Sequence, residues 1–240
     1  MSIPLAQPSS VAPEIRRFGV SDYEAYWIHR KKIGTTRQTR LHGFLASLVG
    51  KLIGSGGRVL DCGVGPGHAY RLLAEKHETY GVEISDEAIA LYDFDTSRIA
   101  QANLNDGIPD FGGQFDVIIT SMIIHHLDNP TEFLQQVKKQ LAPCGYFIPV
   151  IPNICYWPYR FGYFFLGKFP PISYAHKNFQ TASEFEKLVA DAGFSQQRLL
   201  TPKKTWRAKF LPTWFSQDLV YVFQSQSQAQ SESDRSRCAA

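Results

Sequence analysis

The sequence predicts an α/β domain: a doubly wound, seven-stranded, mostly parallel sheet with N-terminal helices and an aromatic lid insertion. Three observations predict it. From Arg58 onward, short apolar runs alternate with helical periods, and strands joined by helical crossovers are held parallel. A strand pattern opening at Val59-Leu60 runs into Gly63, Gly65 and Gly67 and then into a helical pattern. Two further apolar runs, 198–200 and 219–223, close the pattern as an expected hairpin with a long loop.

The elements follow in chain order. Residues 23–53 read as helical, with Leu41, Phe44, Leu45, Leu48, Val49 and Leu52 forming a buried stripe and the Gly54 to Gly57 stretch ending it. Strand candidates are 59–60, 80–82, 98–100, 117–119 and 146–148, with helices near 68–76, 86–92 and 130–141 between them. Asn129, Pro130 and Glu132 supply an N-cap, a first-turn proline and an acid at N3. Thr181 with Glu184 forms a capping box, and Gly193 stops that helix. Pro149 conflicts with a central strand over 147–151, where its missing N–H predicts a bulge or an early strand end.

At 240 residues the chain can bury a sizeable core, and layered folds of this size commonly stay single. One domain is expected over 22–223, between a flexible N-terminus at 1–21 and a disordered tail at 224–240. Apolar residues at 44% and charged residues at 20% exclude disordered and fibrous classes. The aromatic run at 161–167 is too short to span a bilayer and prolines interrupt residues 1–19, so a cytoplasmic location is expected. Cys62, Cys144, Cys155 and Cys238 form no CxxC pair, which reads as reduced thiols, and no metal site is expected. A net charge of +3 leaves no footprint for nucleic acid. The charge is uneven, however. Arg30, Lys31, Lys32, Arg37 and Arg40 crowd one side and Lys203, Lys204, Arg207 and Lys209 the other, as solvated faces or as a basic mouth.

The chemistry concentrates at 59–67, where a strand meets three glycines spaced GxGxG. Glycine permits a sharp turn and lets a ligand approach the backbone with no Cβ in the way. A dinucleotide fingerprint would need glycine or alanine at position 68, which is His68. Asp61, two residues before the first glycine, would repel a pyrophosphate and attract a cationic amino group. A nicotinamide oxidoreductase is therefore disfavoured.

Over residues 22–200 the chain resembles the class I S-adenosylmethionine (SAM)-dependent methyltransferases of Rossmann-like fold, particularly the MetW-like group. The resemblance rests on DCGVGPG at 61–67, YGVEIS at 80–85, ANLNDGIP at 102–109, FDVIITSMIIHHLDNP at 115–130, LAPCGYFIPVIPN at 141–153 and FQTASEFEKLVADAGF at 179–194. It implies that Asp61, Gly63, Gly65 and Gly67 line the methionine half of SAM, and that Glu83 accepts from the ribose hydroxyls. It further implies that Asn103 and Leu104 meet the adenine and that Ile84 and Ser121 belong to the cofactor-binding residues. Asn103 stands where the family usually has aspartate; its amide oxygen can still accept, though a plain turn residue fits as well. Val64 and the 142–145 turn also depart from the common pattern without removing a needed charge.

Methyl transfer needs few catalytic side chains beyond those that hold two reactants at attack distance in a dry pocket. An alcohol acceptor must also lose a proton, so His126 and His125 after the fourth strand are candidates for the base or for structural capping, with His176 a further candidate. Residues 153–179 are too long for an ordinary connection and rich in Tyr, Trp and Phe, which suits a lid over a small-molecule or lipid-like acceptor or a self-packed insertion. Contact with a membrane surface stays open. No Asn/Asp-Pro-Pro-aromatic segment follows the fourth strand, against a nucleic-acid methyltransferase. A regulatory subunit that uses the fold without catalysis remains the alternative from another class.

Overall fold

The computed structural model describes residues 20–32, 34, 38–168, 177, 178, 180–203 and 205–225. His176, residues 1–19 and residues 226–240, on which some expectations fell, lie outside that set. The expected long N-terminal helix is two helices, α1 (Val20–Lys32) and α2 (Arg40–Ile53). Gly34 adopts φ +67° and Thr39 begins a new helix as its N-cap. Gly54, at φ +71°, ends α2 as expected.

The sheet comprises β1 (Arg58–Cys62), β2 (Glu78–Glu83), β3 (Ile99–Gln101), β4 (Phe115–Ser121), β5 (Leu141–Pro152), β6 (Phe194–Leu200) and β7 (Asp218–Ser225). The spatial order is β3-β2-β1-β4-β5-β7-β6. The first five strands pair in parallel, and β7 runs antiparallel between β5 and β6. Interspersed are α3 (His68–Ala74), α4 (Asp86–Ile89), α5 (Pro130–Gln140), α6 (Trp157–Leu166), α7 (Ala182–Asp191), α8 (Trp206–Phe210) and α9 (Pro212–Phe215), with a 3₁₀ turn at Ile124–His126.

Alternation along the strands divides the core into two layers. Leu60, Ile118, Phe147, Tyr221 and Phe223 pack with Phe133, Leu134 and Val137 of α5 and Phe185 and Val189 of α7. Val59, Val117, Ile119, Ile148, Val220 and Val222 pack with Leu45, Leu48 and Val49 of α2 and Leu73 of α3. The helix caps read from the sequence are present: Asn129 accepts from the Glu132 N–H, and Thr181 and Glu184 complete a reciprocal box.

Pro149 neither bulges nor ends its strand. β5 runs on to Pro152, and the β5–β7 register is the same on either side of the proline, Phe147↔Phe223 and Val150↔Val220. The lost donor removes hydrogen bonds without inserting a residue. The irregularity in β5 lies earlier, between Leu141 and Tyr146, where Cys144 has φ +64° and the register against β4 shifts. Cys62 and Cys155 are free thiols, whereas Cys144 is disulfide-bonded, which corrects the reduced-thiol expectation at that position.

β1 is the switch point of the sheet. The chain leaves it first toward β2 and later returns on its other side as β4, so the crossovers diverge and leave a crevice at the strand C-termini.

Candidate active site

The crevice is a cavity of about 1160 Å³, larger than the ~300–1,000 Å³ of an ordinary small-molecule site and so roomy enough for two ligands side by side. Asp61, Gly63, Gly65, Glu83, Ile84, Asn103, Leu104, Ser121, His125 and His126 all line it. The fold thus gathers residues that the sequence spreads over more than sixty positions.

The turn out of β1 is set by backbone geometry. The Gly63 and Val64 N–H groups both donate to the Val82 carbonyl, at 2.8 and 3.1 Å, binding the loop to β2. Gly63 has φ +85°, and a Cβ there would collide with the Ile123 side chain. Gly67, also expected to line the cofactor site, does not line the cavity. It caps α3 at φ +80°, and a Cβ there would stand 2.6 Å from the Phe94 ring. Its glycine is required by packing and conformation.

Asp61 lies in β1 and is buried, 1% exposed. Neither carboxylate oxygen has a hydrogen-bond partner among the described residues. Burial, followed by the nearby Glu83 charge, pushes its carboxyl up to about 7. A buried carboxylate without partners is costly, and such sites concentrate where a ligand supplies the missing charge.

Glu83, at the end of β2, accepts from the Gly65 N–H at 2.7 Å through one oxygen and from the Ile84 and Ser85 N–H groups at 3.0 Å through the other. Burial pushes its carboxyl up, and the three backbone donors pull it down. Three of roughly four acceptor positions are filled, which leaves one. The Asn103 side-chain oxygen accepts from the Asn105 N–H at 3.0 Å, so the turn-residue role is realised while the residue still faces the cavity.

Helix α1 closes one side through three contacts. The Glu24 carboxylate caps α4, accepting from the Ser85 hydroxyl and from the Asp86 and Glu87 N–H groups at 2.8–2.9 Å. Trp27 reaches 3.3 Å from where a Gly65 Cβ would be. The Tyr23 ring meets His126 edge-on at 6.0 Å.

His125 and His126 sit on the 3₁₀ turn after β4 with ring centroids 4.2 Å apart. His125 is buried and its carbonyl accepts from the Lys177 and Asn178 N–H groups; His126 is half-buried. Just before them, Met122 has φ +59°, a strained conformation of the kind that clusters at functional sites.

Sequence reasoning missed several wall residues. His42 is held neutral by burial and by His68, its imidazole lowered to about 4, and its Nδ1 accepts from the Thr39 N–H at 3.0 Å. The proton is therefore on Nε2. Asn153 and Asp218 also line the cavity, next to Lys203, one of the cations that the sequence offered as a solvated face or a basic mouth. Spacing offered one usable signal, Thr39 three residues before His42 at a helix start. The others arrive through tertiary packing alone.

A family model described as a methyltransferase domain matches residues 33–198, and the chain belongs to that family. A Mycolicibacterium smegmatis protein named "Probable S-adenosylmethionine-dependent methyltransferase" is 26% identical over 61% of this chain and 55% of its own length. A Mycobacterium tuberculosis protein of the same description is 28% identical over 57% of this chain and 48% of its own length. The chain spans about half the length of these curated relatives. Among solved structures, the Burkholderia thailandensis 1,6-didemethyltoxoflavin-N1-methyltransferase, with 1,6-didemethyltoxoflavin and S-adenosylhomocysteine bound, superposes with TM-score 0.63 at 18% identity, covering 95% of this chain and 94% of that one. A Haloferax volcanii methyltransferase in complex with the Trm112 activator also gives 0.63 at 18% identity, covering 89% and 100%. At these identities the likeness shows the fold: the Rossmann-like architecture of the class I enzymes.

Proposed function

We propose that this protein transfers a methyl group from SAM to a small-molecule or lipid-like acceptor at oxygen, nitrogen or carbon. The observation that carries the reading is Asp61, a buried carboxylate on the cavity wall with no partner among the described residues. An ammonium group matches it in charge and in donors, and the cofactor's methionine half has one. The adjacent loop at Gly63 and Gly65 offers backbone that a ligand can approach closely. Glu83 has one acceptor position for a ribose hydroxyl and gains a second by exchanging the Gly65 N–H. Ile84 and Leu104 supply apolar contact for the base, and Asn103 retains a lone pair for its amino group.

When bound, SAM supplies an electrophilic methyl carbon on a sulfonium. The chain's own part is to position the acceptor and exclude water. Tyr23, Trp27 and Tyr159 provide apolar walls, and His126 accepts the proton that an alcohol or amine acceptor must lose. Thermal unfolding with SAM, S-adenosylhomocysteine and NADH tests the cofactor assignment, since a ligand of the native state raises apparent stability. The first two should stabilise and NADH should not. No response to any would turn the reading toward a regulatory subunit. Transfer of labelled methyl into lipid, quinone and small-metabolite extracts then identifies the acceptor class. His126→Ala should keep the thermal shift and slow transfer; unchanged transfer would remove His126 from catalysis.

A further inference from the structure

Helix α6, with sequence WPYRFGYFFL, has no buried residue. Trp157, Phe161, Tyr163, Phe164, Phe165 and Leu166 are all exposed, Phe164 by 76% and Phe165 by 73%. A soluble surface helix carries one apolar stripe; a helix apolar all round belongs inside something. Beside it stand α8 and α9, joined to α6 by the Arg160 guanidinium 4.3 Å from the Trp214 ring centre, while Asn153, just before α6, donates its side-chain amide to the Thr213 carbonyl. They add Trp206, Phe210, Leu211 and Trp214, with Phe210 78% exposed.

Within the chain segments that carry these aromatics the charges have one sign, Asp218 lying beyond them on the cavity wall. No Asp or Glu occurs between Glu132 and Glu184, nor between Asp191 and Asp218, while Arg160, Lys168, Arg207 and Lys209 lie on or beside the exposed helices. Exposed Trp and Phe interleaved with cations match a lipid–water interface, where aromatic rings sit at headgroup level and Lys or Arg meets anionic lipid. A second copy is the poorer occupant, because a two-fold contact would set this cationic face against itself.

We propose that α6 together with α8–α9 docks this protein on the surface of an anionic bilayer. The site stands next to the cavity: Tyr159 of α6 and Pro202 and Lys203 just before α8 line it. Docking rests on the surface alone. Its use, giving an acceptor held in or near the bilayer direct access to the cavity, rests on the methyl-transfer reading.

The test is sedimentation of the full chain with vesicles of phosphatidylcholine alone or containing phosphatidylglycerol, with tryptophan emission followed in parallel. Wild-type protein should bind the anionic vesicles with blue-shifted emission and weaken as salt rises. R207E/K209E should reduce binding roughly 10- to 30-fold, and F164S/F165S should abolish the tight component. None of these four residues lines the cavity, so both variants should keep the S-adenosylhomocysteine thermal shift, which also reports their folding. Absence of wild-type binding, or binding indifferent to both variants, would overturn the proposal. So would a concentration-dependent dimer that F164S/F165S dissolves, because the face would then belong to a second copy. Loss of the thermal shift in wild-type protein would strike the cofactor assignment and leave docking standing.

Discussion

Replacing Asp61 by asparagine should move stability and ligand response in opposite directions. Burial lifts this carboxyl from 3.8 to about 7. In the unfolded chain it loses its proton near pH 4, so between pH 4 and 7 the native state holds the proton more tightly. Native stability therefore falls as pH rises across that window, and the penalty is complete above pH 7. Three units correspond to about 4 kcal/mol. Asparagine removes that penalty and brings an amide whose own unmet hydrogen bonds cost about 1–3 kcal/mol, which leaves a net gain of about 1–3 kcal/mol at pH 8. For a domain of this size that is a rise in Tm of ~2–12 °C. At pH 5 the aspartate is already protonated and the gain should shrink or reverse. Thermal unfolding of both proteins at pH 5 and pH 8, with and without S-adenosylhomocysteine, measures all of this. The reasoning fails if the variant loses stability equally at both pH values, or if its ligand-induced shift survives.

Glu83→Ala strands the buried Gly65 and Ser85 N–H groups and the half-buried Ile84 N–H, so it should cost about 2–4 kcal/mol in urea unfolding and abolish the cofactor shift; a loss below 1 kcal/mol would refute the accounting. Gly63→Ala combines a positive φ with a collision on Ile123 and should cost about 3 kcal/mol, whereas Gly112→Ala, with positive φ and open space, should cost only about 1 kcal/mol. Equal losses would show that the Ile123 contact is irrelevant. Glu24→Ala removes three hydrogen bonds that join α1 to α4, and hydrogen exchange should show α1 opening while β1 and β4 stay protected.

The parallel sheet was legible because each strand carries its own apolar run and each crossover its own helix signal, so local pattern and global fold agree. Asp61, Glu83 and the glycine turn were legible for a related reason: they occupy the ends of strands whose positions the pattern fixes. Legibility ended where a residue's role comes from a distant partner. Glu24 reads as an ordinary helix acid until α4 is placed beside it. Gly67 reads as part of the glycine turn, and its packing against Phe94 shows only once the fold is known. The break between α1 and α2 left a signal in Gly34 and Thr39, but the apolar stripe beyond it ran strongly enough to suggest one continuous helix. Pro149 misled in the other direction, because strands on both sides hold β5 in register despite the missing donor.

The position of β7 has a consequence for how the chain acquires its shape. β6 is synthesised before β7 yet pairs with no other strand, and β5 keeps an open edge until residues 218–225 arrive. Assembly of that flank must wait for an insertion between two elements already made, and long-range pairing of this kind is slow and leaves strand edges exposed to other chains meanwhile. Truncation of the polypeptide between Leu200 and Asp218 would thus forfeit two strands at once, and the remnant would present β5 as a sticky margin.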